Sequence, residues 1–191
     1  GRFQQLVLVG HSMGTVVARH VAAQDPRVIG MALLGPVPAP TPDLRQAFEA
    51  RAKAALDTGM EAVAESFGAA TLSKSTLQDK PGAVKQVMDF LQGQKPTSYA
   101  KSCIALSHAT EAQAPANPLC NTWILYGDAD VFCNEESLRL VKQALGATPA
   151  FMTSLPEVGH WPVQEDPESV LAFIDVVLNT LQQECTSESS E

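Results

Sequence analysis

Gln5-Leu6-Val7-Leu8-Val9-Gly10-His11-Ser12-Met13-Gly14-Thr15-Val16 decides the fold. An apolar run, Leu6 to Val9, meets Gly10-His11-Ser12-Met13-Gly14, and Val16-Val17-Ala18-Arg19-His20-Val21-Ala22 continues in helical phase. G-x-S-x-G between a strand and a helix is the context of a nucleophile elbow. A serine hydroxyl is a weak nucleophile until a base takes its proton. The turn from strand to helix pushes Ser12 Oγ out of the sheet. Gly10 and Gly14 are expected there because side chains would strike the neighbouring strand and helix. The free N–H groups of the helix start suit an oxyanion. Met13, which follows the nucleophile, is the expected first oxyanion donor. G-x-S-x-G also arises in Gly/Ser-rich loops, but those lack the flanking strand and helix.

Two partners follow later in the chain. Thr122-Trp123-Ile124-Leu125-Tyr126 reads as a buried strand, followed by Gly127-Asp128-Ala129-Asp130. Ala150-Phe151-Met152-Thr153-Ser154-Leu155 reads as another, followed by Glu157-Val158-Gly159-His160-Trp161-Pro162. Loops after the carboxyl ends of parallel strands gather at one edge. Asp130, with Asp128 as the rival, is the expected acid, and His160 the expected base. In that scheme His160 takes the Ser12 proton and Asp130 orients the imidazole. His11 occupies the variable slot of the elbow, His20 the first helix and His108 a helical stretch, and all three fit the base less well.

These three motifs together resemble the α/β-hydrolase superfamily over nearly the whole chain. The resemblance implies an acid at the end of G-x-x-D, which selects Asp130, and acyl transfer to water from Ser12. Pro96-Thr97-Ser98-Tyr99-Ala100-Lys101-Ser102-Cys103-Ile104-Ala105 is similar to a helix of the 3-oxoadipate enol-lactonase branch and its small-ester relatives. The implied substrates are small carboxylic esters or lactones. The alternatives are carbon–carbon bond hydrolysis of diketones by the same triad, or a non-catalytic truncated fragment. The fold is expected to carry further strands before the elbow. Residue 1 would then lie inside it, leaving the first strand as a bare apolar edge and the isolated chain poorly soluble. The second oxyanion donor, implied by the resemblance to follow an earlier strand, would also be missing.

The rest of the chain fits an α/β class. Strands are expected at 4–9, 27–34, 122–126 and 150–155, giving about four parallel strands with flanking helices. Core helices are expected at 13–24 and 134–145, and after Asp166-Pro167. The last should bury Val170, Leu171, Phe173, Ile174, Val177 and Leu178. Between the second and third strands, helices are expected at 42–57, 61–71, 83–92 and 97–109. The first of these places Leu44, Ala47, Phe48 and Leu56 on one side. Thr41 with Pro42 marks its start. The organisation is a core of residues 1–36 and 116–185, a helical cap of 37–115 and a disordered tail of 186–191. Phe48, Phe67, Met88, Tyr99 and Trp161 are candidates for the pocket wall, with plain packing as the alternative for each.

Composition narrows function further. The 191 residues are 45% hydrophobic and 18% charged, with a net charge of −8. An acidic balance disfavours nucleic acid and anionic membrane as partners. No apolar run approaches the ~20 residues of a membrane helix. Cys103, Cys120, Cys133 and Cys185 form no C-x-x-C pair, so no metal site is expected and the thiols are taken as reduced. No cofactor is implied, and a cytoplasmic location is the expectation.

Overall fold

The computed structural model describes residues 3–117 and 119–188, with side chains placed as far as residue 184. Four strands form one parallel sheet in the order β1 (Leu6–His11), β2 (Val28–Leu34), β3 (Asn121–Gly127) and β4 (Ala150–Leu155). Each crossover is right for the class, since parallel neighbours need a long return connection. Helix α1 (Met13–Ala22) links β1 to β2, and α7 (Glu135–Ala144) links β3 to β4.

Alternating side chains of the strands feed two cores. Met31 and Leu33 of β2 and Ile124 of β3 pack with Ala18 and Ala22 of α1 and with Leu138 and Val141 of α7. Ala32, Leu34, Trp123 and Leu125 point the other way, onto α9 (Pro167–Glu188). The result is three layers, helix on sheet on helix. Among the described residues β1 pairs with β2 alone, so its other edge is open, and Val9 beside it is 59% exposed.

Helix α9 buries a narrower stripe than expected. Val170, Phe173, Val177 and Leu181 are buried, whereas Leu171 and Leu178 are exposed. The buried set recurs every three to four residues, and Leu171 and Leu178 stand about 100° off that line. Asp166 Oδ1 accepts the Ser169 N–H (3.1 Å), which starts the helix where expected. The helix then runs to Glu188, so residues 186–188 belong to it rather than to the expected disordered tail. Once the buried turns are formed, each added residue needs only its own i→i−4 bond. Residues 189–191 of that tail lie outside the described residues.

Between β2 and β3 the described chain is helical: α2 (Pro42–Val63), a π-helical turn at Ala64–Gly68, then α3 (Ala69–Thr71), α4 (Lys74–Asp79), α5 (Pro81–Gln92) and α6 (Pro96–Ser107). The Thr41 hydroxyl caps α2 through the Leu44 N–H (3.3 Å). Gly59, at φ 83°, breaks α2 between the two helices expected there. Helix α4 was not expected, and it is capped by Ser73. Ala52, Ala55, Val63, Val87, Leu91 and Cys103 form the insert's own core. Ala47 and Leu56 face solvent instead of joining Leu44 and Phe48, because Ala52 and Ala55 continue the Phe48 stripe at helical spacing.

Both stems of the insert are tied to α1. Arg19, 3% exposed, donates to Glu111 (2.5 Å) and to the Val37 carbonyl (2.6 Å). Glu111 also accepts the Ala39 N–H. Removing one partner of such a buried pair leaves an uncompensated charge, so the two stems are fixed together. Among the described residues no helix is long and apolar enough to cross a membrane.

Candidate active site

Ser12 sits on the turn between β1 and α1 with φ 51° and ψ −117°. A non-glycine residue there costs of order 1–3 kcal/mol and persists only where its surroundings over-determine it. Here they do. The Ser12 N–H donates to Leu34 (3.0 Å), and the Ser12 carbonyl accepts the Thr15 N–H (2.9 Å) and hydroxyl (2.6 Å). A Cβ on Gly10 would lie 2.5 Å from the Gly14 carbonyl oxygen, so the turn closes only with glycine at 10. Gly14 is a correction: among the described residues, its own helix backbone apart, a Cβ there meets nothing within 4 Å.

The sheet brings three expected residues into a row. His160 Nε2 lies 2.8 Å from Ser12 Oγ across 148 residues of sequence, and His160 Nδ1 lies 2.8 Å from Asp130 Oδ2. His160 and Asp130 are 2% and 6% exposed. Asp130 Oδ1 also accepts the Phe132 N–H (2.8 Å). Burial pushes the Asp130 carboxyl up, but the hydrogen bond and charge interaction with His160 outweigh it and leave it below the usual range. Asp128 plays another part: its Oδ1 accepts the Glu157 N–H (2.8 Å) and closes the loop after β4. Met13 is the first residue of α1, next to Ser12. Such a row can move a proton from a hydroxyl to an imidazole whose far side faces a carboxylate.

Above the row lies a cavity of about 240 Å³, roofed by the insert. Of the expected wall residues, Phe48, Phe67, Tyr99 and Trp161 line it. Met88 does not. It packs into the insert's own core, where a Cβ on Gly68 would meet its sulfur. Among the described residues no cluster of His, Cys, Asp and Glu could hold a metal ion. Cys103, Cys120 and Cys133 are free and buried, and the Cys185 side chain lies outside the described residues.

A family model described as the alpha/beta hydrolase family matches residues 1–173. The chain belongs to the alpha/beta hydrolase family. Solved structures agree on the fold. A thermophilic esterase from Thermogutta terrifontis superposes with a TM-score of 0.80 at 21% identity, covering 93% of this chain and 65% of that one. The enol-lactonase from Burkholderia xenovorans LB400 gives 0.75 at 21% identity, over 94% and 66%. MenH from S. aureus gives 0.75 at 20% identity, over 93% and 69%. This chain thus spans just under two thirds of the length of the Thermogutta esterase. Among curated proteins no sequence matches it.

Three residues of this alpha/beta hydrolase hold the His160 loop and were not expected from the sequence. Glu165, 1% exposed, accepts the N–H groups of Ser73, Gly159 and Trp161, each at 3.0 Å. It therefore grips the backbone on both sides of His160 and ties it to the insert. The Thr71 carbonyl accepts the His160 N–H (2.8 Å), and the Thr71 hydroxyl accepts the Trp161 indole N–H (2.8 Å). Gly159 leaves room for this: a Cβ there would lie 2.5 Å from the Thr71 carbonyl oxygen. The third residue is His11, whose Nε2 lies 2.6 Å from the His160 carbonyl oxygen. That oxygen can only accept, so His11 Nε2 carries the proton. Burial, and then the His160 charge, lower its pKa to about 4. A glutamate five residues after a histidine is a usable sequence signal only if the loop between them is known to fold back.

Two predictions follow from these contacts. Glu165→Gln sets an amide N–H against backbone N–H groups. It should cost about 1–3 kcal/mol in chemical denaturation, whereas the exposed Glu168→Gln should change stability by less than about 0.5 kcal/mol. Equal effects would contradict the clamp. His11 binds its proton near 6.5 when unfolded and at about 4 when folded. The unfolded chain therefore holds more protons between those values, and stability falls as pH drops through that window. The loss should be about 3 kcal/mol in order of magnitude, and His11→Asn should flatten that part of the stability–pH curve.

Proposed function

We propose that this chain is the catalytic part of a serine hydrolase that cleaves small carboxylic esters or lactones through an acyl-enzyme. The observation that carries the proposal is the row Ser12 Oγ–His160 Nε2–His160 Nδ1–Asp130 Oδ2, at 2.8 Å in both links, beneath an open cavity. Ser12 Oγ attacks the ester carbonyl carbon while His160 Nε2 takes the hydroxyl proton. Asp130 holds the Nδ1–H and stabilises the imidazolium. The carbonyl oxygen becomes an oxyanion, and the Met13 N–H at the start of α1 is its donor. Collapse breaks the bond to the alkoxy oxygen, which leaves with the proton from His160. Water then gives one proton to His160 as its oxygen attacks the acyl carbon, and collapse breaks the bond to Ser12 Oγ, which takes that proton back as the acid leaves.

The helical insert, residues 37–115, acts in this scheme as a cap that shapes the pocket and excludes water. Esterase and enol-lactonase names among the structural relatives favour this reaction class. Ser12 as nucleophile agrees with acyl transfer, because its hydroxyl is activated only through His160.

The full chain should turn over p-nitrophenyl acetate. Ser12→Ala should lower kcat by about 10³-fold or more. Turnover that survives Ser12→Ala, or a folded chain with none, would contradict the proposal.

A further inference from the structure

The cavity wall carries one formal positive charge and no carboxylate to match it. Arg51 of α2 lines it, and no aspartate, glutamate or lysine does. His11, the other basic wall residue beside His160, is kept neutral at pH 7 by burial. Other cations of the chain have carboxylate partners. Buried Arg19 has Glu111, and Lys53, two residues from Arg51, pairs outward with Asp57. Among the described residues no carboxylate lies within ion-pair distance of Arg51. A guanidinium on the wall of an apolar cavity, with no carboxylate partner, is available to an anionic ligand.

Its position is fixed by packing. The guanidinium carbon sits 3.8 Å from the Phe67 ring centroid and 5.5 Å from that of Phe48. Stacking holds the plane, and the fork has N–H donors beyond the one that meets the Tyr99 hydroxyl. The Tyr99 hydroxyl and the Cys103 thiol are its polar neighbours on α6, both uncharged at neutral pH, with burial raising each further above its ordinary value. From Arg51 a file of rings leads to the reactive row. Phe67 lies 6.2 Å from Phe132, and Phe132 meets the His160 ring edge-on at 4.7 Å. The guanidinium and the imidazole thus face one cavity, separated by two phenyl rings.

We infer that the pocket selects esters or lactones bearing a carboxylate a few carbons from the scissile carbonyl, with Arg51 receiving that carboxylate. The inference rests on the serine-hydrolase reading above and adds the substrate's charge to it. A planar carboxylate matches the guanidinium fork, and the pair gains strength in a cavity walled by apolar rings. A net charge of −8 repels anions at long range. A preference for an anionic ester must therefore arise locally.

The test uses monomethyl glutarate and monomethyl adipate, each against its neutral dimethyl ester. The full chain should favour the monoanion in kcat/KM by about tenfold or more. Arg51→Met should bring that ratio to one or below, mainly through KM, and Arg51→Lys should keep part of it. A wild-type preference for the diester, or an unchanged ratio in Arg51→Met, would overturn the inference while leaving ester hydrolysis intact. Calorimetry on Ser12→Ala reads the same site without turnover. Monomethyl glutarate should bind about tenfold more tightly than dimethyl glutarate, and the difference should vanish in Ser12→Ala/Arg51→Met. Equal binding of the two esters would overturn the inference whatever the turnover. Binding as expected with no turnover by the wild type would instead sink the hydrolase reading and keep the carboxylate site.

Discussion

The hydrogen bond between Ser12 and His160 joins groups 148 residues apart, and the rest of the structure depends on how that contact is made. Closing so long a loop costs conformational entropy that one hydrogen bond cannot offset. The parallel sheet meets that cost with its buried cores. It places the ends of β1, β3 and β4 at one edge, from which Ser12, Asp130 and His160 project. The strained backbone at Ser12 is sustained in the same way. Leu34 of the neighbouring strand and Thr15 of the following helix hold it.

The helical insert is more than a roof. Arg19 and Glu111 pin both its stems to α1. Thr71 and Ser73 reach the His160 loop, the first through its carbonyl and hydroxyl, the second through its N–H on Glu165. His160 is thus held by Asp130 on its ring, by Thr71 on its N–H, by Glu165 across its backbone and by His11 on its carbonyl. Because the same insert carries Arg51, pocket shape and imidazole position rest on shared elements. Loosening Glu165 would therefore disturb both the row and the wall opposite it.

Features written in short stretches of sequence were legible there. The strand-turn-helix at Ser12 and the strands before Asp130 and His160 are local patterns, and all four strands lie within two residues of expectation. The break in α2 was legible too, since Gly59 interrupts the helical run. What was not legible depends on neighbours distant in sequence. Nothing near Glu165 announces that three N–H groups converge on it. His11 looked like filler in the motif until the loop after β4 came to lie beside it. Leu171 and Leu178 look like core by hydropathy, but the face of α9 that packs on the sheet is the one carrying Val170, Phe173, Val177 and Leu181. Gly14 failed for the same reason: a motif position implies crowding, and the neighbour that would crowd it is absent among the described residues.

The central claim is that Ser12 is a nucleophile made reactive by His160. Labelling with a fluorophosphonate probe, followed by peptide mass spectrometry, reads it directly. The account predicts a single adduct on Ser12 in the full chain, slowed by orders of magnitude in a folded His160→Ala variant. No adduct on the folded chain, or equal labelling with and without His160, would contradict it.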